Sequence, residues 1–444
     1  MALGLESGES MNLNGMTNLA LLWRAASEVF PYFDQLDLDW DAQYEAFLPR
    51  MAAAQDDREA YLLLAAFATL LGDGHTDVSL PKAMRDEMGG LPFQLTHIGD
   101  DWHVSAIAQE GRPLLLDRVE RLNGEDFPAL LERVFAHIHQ VDGHASHNRM
   151  ERFLPLFLSP TGNLLETSSG SLPFDLQLQP PAMLKPPAPA SGIPCRELLD
   201  TPDLRLRLYE DRVLYIALPH LLDGTVAETI RETVRTLPCP RGVILDLRGC
   251  IGGMTLNGAR VAQLLIPGEF HACRKWTRAM RGCDFASASQ ISRWSDEAVE
   301  RWLNSGMTSR EELQNSLRLS RRSLFDNYTD SFGQPGGEAI FDQPCLLLTD
   351  RDTLSAAEDM TAMFRSNGRA TILGERTYGS TGTPLLVSLR GGGIARVVSV
   401  GYRLLDGTDF INRGIQPDIP MSPSPDDLLA GHDRLLDKAI ARLA

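Results

Sequence analysis

Residues 345–348 are apolar at every position and are closed by Thr349, Asp350 and Asp352, while residues 356–364 place apolar side chains at helical spacing. A buried strand that runs through a short polar turn into a helix is a building unit of an α/β fold. Ser355 stands at the head of that helix. The unpaired N–H groups and positive dipole end of a helix suit a developing oxyanion beside an activated hydroxyl. The competing reading is that Ser355 only caps the helix, a frequent role for serine.

Two further segments supply what a reactive hydroxyl needs. Residues 243–254, VILDLRGCIGGM, read as a second buried strand, then a glycine pair and an apolar helix over 256–266. His75 lies in LLGDGHTDVSL, after an N-terminal helical pattern. A hydroxyl, an imidazole to take its proton and glycine-lined backbone donors are the inventory of acyl transfer. Each has a simpler reading: a histidine satisfied within a DG turn, and glycines required by a tight strand-to-helix turn. Arg248 is expected to pair with a scaffold carboxylate.

The ordered set DLRGCIGG, LSAAE, GERTYGS and GIQPDI resembles the tail-specific, or C-terminal processing, serine protease family over roughly the last 240 residues, and GDGHT extends the likeness to the first 80. The resemblance implies a ClpP/crotonase-like α/β catalytic core, Ser355 as nucleophile, and an oxyanion hole from Gly252 or Gly253 with Ala356. One branch of that family uses a lysine about 25 residues beyond the serine; here the place is held by Ser380, and no lysine occurs between Lys275 and Lys438. The histidine-using, tricorn-like branch fits better, with His75 as base. That branch carries a glutamate where this chain has Ile411. Glu358, at i+3 from Ser355, is therefore the first choice for a supporting acid, and Asp409 and Ser380 are further supporting candidates. Asp409 would share a face with Ile411 if the segment were a strand. A histidine base of ordinary pKa implies an acid limb near about 6 to 7. Cys250 replaces the usual asparagine before the glycine pair.

A net charge of −17 and a pI near 5.0 argue against nucleic acid or an anionic membrane as partner. The six cysteines form no C-x-x-C pair and are read as reduced, mostly buried thiols rather than a zinc site or disulfide scaffold. No basic n-region opens the chain and no run of about 18 apolar residues occurs, which points to a cytoplasmic enzyme, or an exported one whose leader was removed.

At 444 residues two or three domains are expected. Residues 1–84 read as a helical bundle with helices over 18–30, 40–54 and 58–71, capped at Asp56 or Asp57, and ending in GDGHT. Residues 85–200 alternate short strands with one helix and resemble the PDZ-like α+β part of the family, followed by a Pro-rich linker over 179–194. Residues 201–444 form the α/β core, starting near Leu204, with an insertion near 268–343. That insertion concentrates Trp276, Trp294 and Trp302 with Arg274, Arg278, Arg281, Arg318, Arg321 and Arg322. It reads either as a solvated helical pair or as a lid for an acidic peptide or a C-terminal carboxylate.

The expected function is a serine-type peptidase hydrolysing peptides or proteins through a Ser–His acyl-enzyme, with no metal or organic cofactor. A homo-oligomer is compatible with the sequence. The alternative is a non-catalytic protein that binds a small apolar ligand or a peptide on the same fold, as the interphotoreceptor retinoid-binding proteins of the family do. A scaffold role through the PDZ-like part is the third reading.

Overall fold

A computed structural model describes residues 11–108, 113–179, 181–186, 188–278, 294–304, 309–310, 325–326, 334–337 and 339–444. Its centre is a seven-stranded sheet in the order Ile419–Pro420, Thr371–Gly374, Cys345–Thr349, Gly242–Asp246, Val213–Ala217, Arg205–Tyr209, Cys195–Asp200. The strands from Val213–Ala217 to Ile419–Pro420 pair in parallel, and the two on the other flank pair antiparallel. The sheet thus reaches back to Cys195, before the start expected near Leu204.

Both apolar runs are explained by cover on two faces. Val243, Leu245, Cys345 and Leu347 pack with Ala356, Ala357 and Met360 on one side. Ile244, Leu346 and Leu348 pack with Leu435, Leu436 and Ile440 of the terminal helix Arg434–Leu443 on the other. Alternation every second residue sends successive side chains to opposite faces, so a strand covered twice must be apolar throughout.

Helices Leu13–Val29, Trp40–Ala52 and Asp57–Thr69 form the N-terminal region. Asp56 caps the third by accepting from Glu59 N, while Asp57 lies inside that helix. One apolar core joins these helices to residues 85–174 and to the hairpin formed by Pro384–Ser388 and Ile394–Val398. Strand Asp77–Ser79 follows the helices and pairs antiparallel with Ile394–Val398, giving a three-stranded sheet whose outer member is Pro384–Ser388. Residues 85–174 supply the strands Phe93–Ile98, Asp101–Ala108 and Val119–Leu122 and the helix Phe127–Phe135. The Pro-rich stretch is tied down rather than free, because Met183–Leu184 pairs with the strand Asp101–Ala108 and Ala190 bridges to His432.

The described part of the insertion corrects the expectation of a lid for Trp276. Strand Cys273–Arg278 pairs with Val400–Leu404, and Trp276 is buried, its indole N–H donating to Pro31 O at 3.0 Å. Gly401 is required beneath it, since a Cβ there would collide with the indole ring. Trp294 is half-exposed, and Arg281, Arg318, Arg321 and Arg322 lie outside the described residues. Among the described cysteines, all free, Cys250, Cys273 and Cys345 are buried, whereas Cys195 and Cys239 are exposed. Among the described residues no helix is long and apolar enough to cross a membrane.

Candidate active site

The turns at the carboxyl ends of two adjacent parallel strands converge on Ser355. Gly252 and Gly253 follow strand Gly242–Asp246, and Ser355 follows strand Cys345–Thr349 and precedes helix Ala356–Ser366. Ser355 adopts φ 59° and ψ −127°, a conformation open to glycine but strained for serine, and its hydroxyl makes no capping bond. The N-cap reading therefore fails. The hydroxyl instead lies 3.0 Å from His75 Nε2, although the two residues are 280 apart in sequence. Holding an L-residue at such a position costs about 1–3 kcal/mol. Ser355→Gly should accordingly melt at or above the wild-type temperature while losing the hydroxyl; a clearly lower melting temperature would show that the backbone there is unstrained.

His75 is buried, and both ring nitrogens are engaged, with Nδ1 2.6 Å from Ser380 Oγ. For Nε2 to accept from Ser355, the ring proton must sit on Nδ1, which then donates to Ser380. A Cβ at Gly74 would collide with the Ser380 side chain, so this approach depends on glycine in the GDGHT turn. The turn is held from several directions. Asp73 accepts the His75 N–H at 2.8 Å, Thr76 Oγ1 accepts from Val398 N at 3.1 Å, and Asn412 Nδ2 donates to Gly72 O at 2.6 Å. Arg149 donates to Gly74 O, and Asp77 forms a two-point ion pair with Arg396. Burial, followed by the guanidinium groups of Arg396 and Arg149, lowers the His75 pKa to about 3. The imidazole is thus neutral throughout the physiological range. Burial raises Asp73 to about 6, whereas Asp77, despite its own burial, is held down at about 2 by Arg396 and Arg149.

Glu358 is fully buried but does not touch the imidazole. Its carboxylate accepts from Thr377 Oγ1 at 2.5 Å, Gly379 N at 2.7 Å and Ser380 N at 2.6 Å. Because Thr377 Oγ1 itself accepts from Ile415 N at 2.7 Å, its proton must point at Glu358. Glu358 therefore clamps the loop that delivers Ser380 to His75, and burial against these donors raises its pKa to about 7. Ser380 O in turn accepts the Ser355 N–H at 2.9 Å, closing a circuit of Glu358, Ser380, His75 and Ser355.

The glycine pair lies directly against the serine. A Cβ on Gly252, at φ 90°, would stand 2.7 Å from Ser355 Cβ and 2.8 Å from Ala356 N. Burial raises the buried Cys250 thiol, which precedes the glycine pair, to about 11. Gly253, at φ 143°, is seated on Leu221, with Leu221 N donating to Gly252 O and Met254 N to Leu221 O. Among the described hydrogen bonds the amides of Gly252, Gly253 and Ala356 have no acceptor.

Asp409 is not brought into the cluster. Residues 409–411 form irregular chain and a turn rather than a strand, and Asp409, about two-fifths exposed, pairs with Arg403 at 2.6 Å. Arg248 pairs with Asp246 and Asp433, as expected of a scaffold arginine. Sequence reasoning missed Arg149, His139 and Asn412. His139 Nε2 meets Asn412 Oδ1 at 2.8 Å and its Nδ1 meets Tyr378 Oη at 3.2 Å, behind the base.

The profile described as "Peptidase family S41" matches residues 212–421. A carboxyl-terminal-processing protease of Picosynechococcus sp. is 31% identical over 107 residues, which are 24% of this chain and 25% of that protein. Carboxyl-terminal-processing peptidase 3, chloroplastic, of Arabidopsis thaliana is 22% identical over 407 residues, 89% of this chain and 67% of the relative. The chain thus spans a quarter of the first of these relatives. The crystal structure of mature CPAF superposes with a TM-score of 0.68 at 13% identity, covering 97% of both chains.

Proposed function

Because the chain belongs to peptidase family S41, we propose that it is a serine peptidase in which Ser355 is the nucleophile, His75 the general base and Ser380 the group that fixes the imidazole. The observation that carries this reading is the single imidazole bridging Ser355 Oγ at 3.0 Å and Ser380 Oγ at 2.6 Å. Ser355 Oγ attacks the scissile carbonyl carbon as Nε2 takes its proton, and the tetrahedral oxyanion accepts from the Gly253 and Ala356 amides at the helix N-terminus. The imidazolium then gives that proton to the leaving amine, and water repeats the sequence on the acyl-enzyme.

Glu358 acts one step back, as a positioning residue. Residues 201–444 serve as the ClpP/crotonase-like catalytic core in this reading, and residues 85–200 as a PDZ-like part. The substrates are peptides or proteins.

Labelling by a fluorophosphonate probe tests the proposal, since an activated serine reacts and an unactivated one does not. Wild type should be labelled at Ser355, and Ser355→Ala should not. An unlabelled wild type would favour the non-catalytic binding role instead.

A further inference from the structure

Among the described residues the strand Pro384–Ser388 pairs on one side only, with Ile394–Val398. Its pairing phase is set at both ends, because Leu389 N donates to Gly393 O and Ser399 N donates to Thr383 O. In an antiparallel pair the residues that exchange hydrogen bonds recur every second position. Residues 383, 385, 387 and 389 therefore direct their backbone groups into the hairpin. Leu386 and Ser388 direct both N–H and C=O outward, and Pro384 directs its C=O outward without a competing N–H. Leu386 is 63% exposed, and Ile394, on the same face of the hairpin, is 42% exposed. This edge starts four residues after Ser380, whose hydroxyl meets the base.

We propose that the strand Pro384–Ser388 is the docking edge for substrate, which adds to it as a further strand and is led along it to Ser355. The proposal rests on the peptidase reading for its chemistry but on the hairpin for its geometry. An added strand lies about 4.8 Å from its neighbour and advances about 3.3 Å per residue, so five paired residues span about 17 Å. The occupant is an extended peptide segment recognised through its main chain, with every second N–H and C=O engaged. The short length of the edge and its leading proline are the devices that keep folded proteins from pairing there, while an unfolded segment can.

Leu386→Pro tests this directly. Its N–H faces away from the hairpin, so proline removes an outward donor without taking a bond from the ladder. The affinity of a ten-residue peptide for Ser355→Ala, and kcat/KM for its cleavage by wild type, should each fall about tenfold on adding Leu386→Pro. Fluorophosphonate labelling of Leu386→Pro in the wild-type background should stay within about twofold, since the probe does not reach the edge. Peptides N-methylated at successive backbone positions should lose affinity for Ser355→Ala at alternate positions only. Unchanged affinity with Leu386→Pro, or uniform losses along the N-methyl series, would overturn the proposal. If Leu386→Pro also lost labelling, the N-methyl series on the unaltered edge would decide. The affinity arm uses an inactive serine variant, so it stands or falls separately from the peptidase reading.

Discussion

Ser355→Ala will lower peptide turnover by about a million-fold, the scale seen when a serine nucleophile is removed from an assembled site. In the proposed mechanism the substitution deletes the attacking oxygen while leaving the strand–turn–helix in place. Because Ser355 makes no capping hydrogen bond, little stability is lost with it, and the variant keeps the backbone strain at φ 59°. Steady-state cleavage of a quenched fluorescent peptide, paired with a thermal melt, checks both halves. Retention of more than about one part in a thousand of wild-type kcat, above the residual that an oxyanion site alone supplies, would remove Ser355 from the nucleophile role.

His75→Gln will cost nearly as much, about ten-thousand-fold or more, because base and nucleophile act as a unit. The pH dependence departs from that of an ordinary histidine. A pKa lowered to about 3 means that acidification from pH 8 to 5 leaves the imidazole neutral, so His75 contributes no acid limb near 6 to 7. Burial instead raises three carboxyls around the site into that range, Glu358 and Asp350 to about 7 and Asp73 to about 6, each protonated as the pH falls through its value. Protonation of Glu358 removes an acceptor from donors fixed in the loop of Thr377, Gly379 and Ser380. An acid limb at about 6 to 7 in kcat/KM for an uncharged peptide therefore reports the carboxyls that hold the surrounding loops rather than the imidazole. Nitrogen-15 NMR of labelled histidines in Ser355→Ala separates the two: the His75 ring should remain neutral at pH 5. A His75 midpoint at 6 or above would show that burial and the neighbouring arginines do not set its charge.

The central sheet was legible because its strands are covered on both faces, which leaves an unbroken apolar signature at 243–245 and 345–348. Ser355 and the glycine turn were legible for the same reason, since both follow directly from those strands. His75 could be named from its motif, but nothing in a linear pattern encodes a contact made 280 residues away. Ser380 was noticed only for standing where another branch has lysine, and its bond to Nδ1 follows from Gly74 leaving room for it. Arg149, Asp77 and Arg396 gave no signal, because isolated arginines and aspartates look alike in sequence whether they solvate a surface or surround a buried base. Asp409 failed for a local reason: a same-face argument holds only in a strand, and the chain there turns.

The way His75 is anchored bears on when the proposed reactive pair can form. His75 leaves the ribosome early, yet its ring is fixed by Ser380, its turn by Val398 and Arg396, and the adjoining Gly72 carbonyl by Asn412. A nascent chain that has exposed the histidine but not these later residues holds no assembled reactive centre. The proposed reactive pair thus becomes available only after residues 72–77 have met residues 380–412, so its assembly is tied to long-range folding rather than to any local segment.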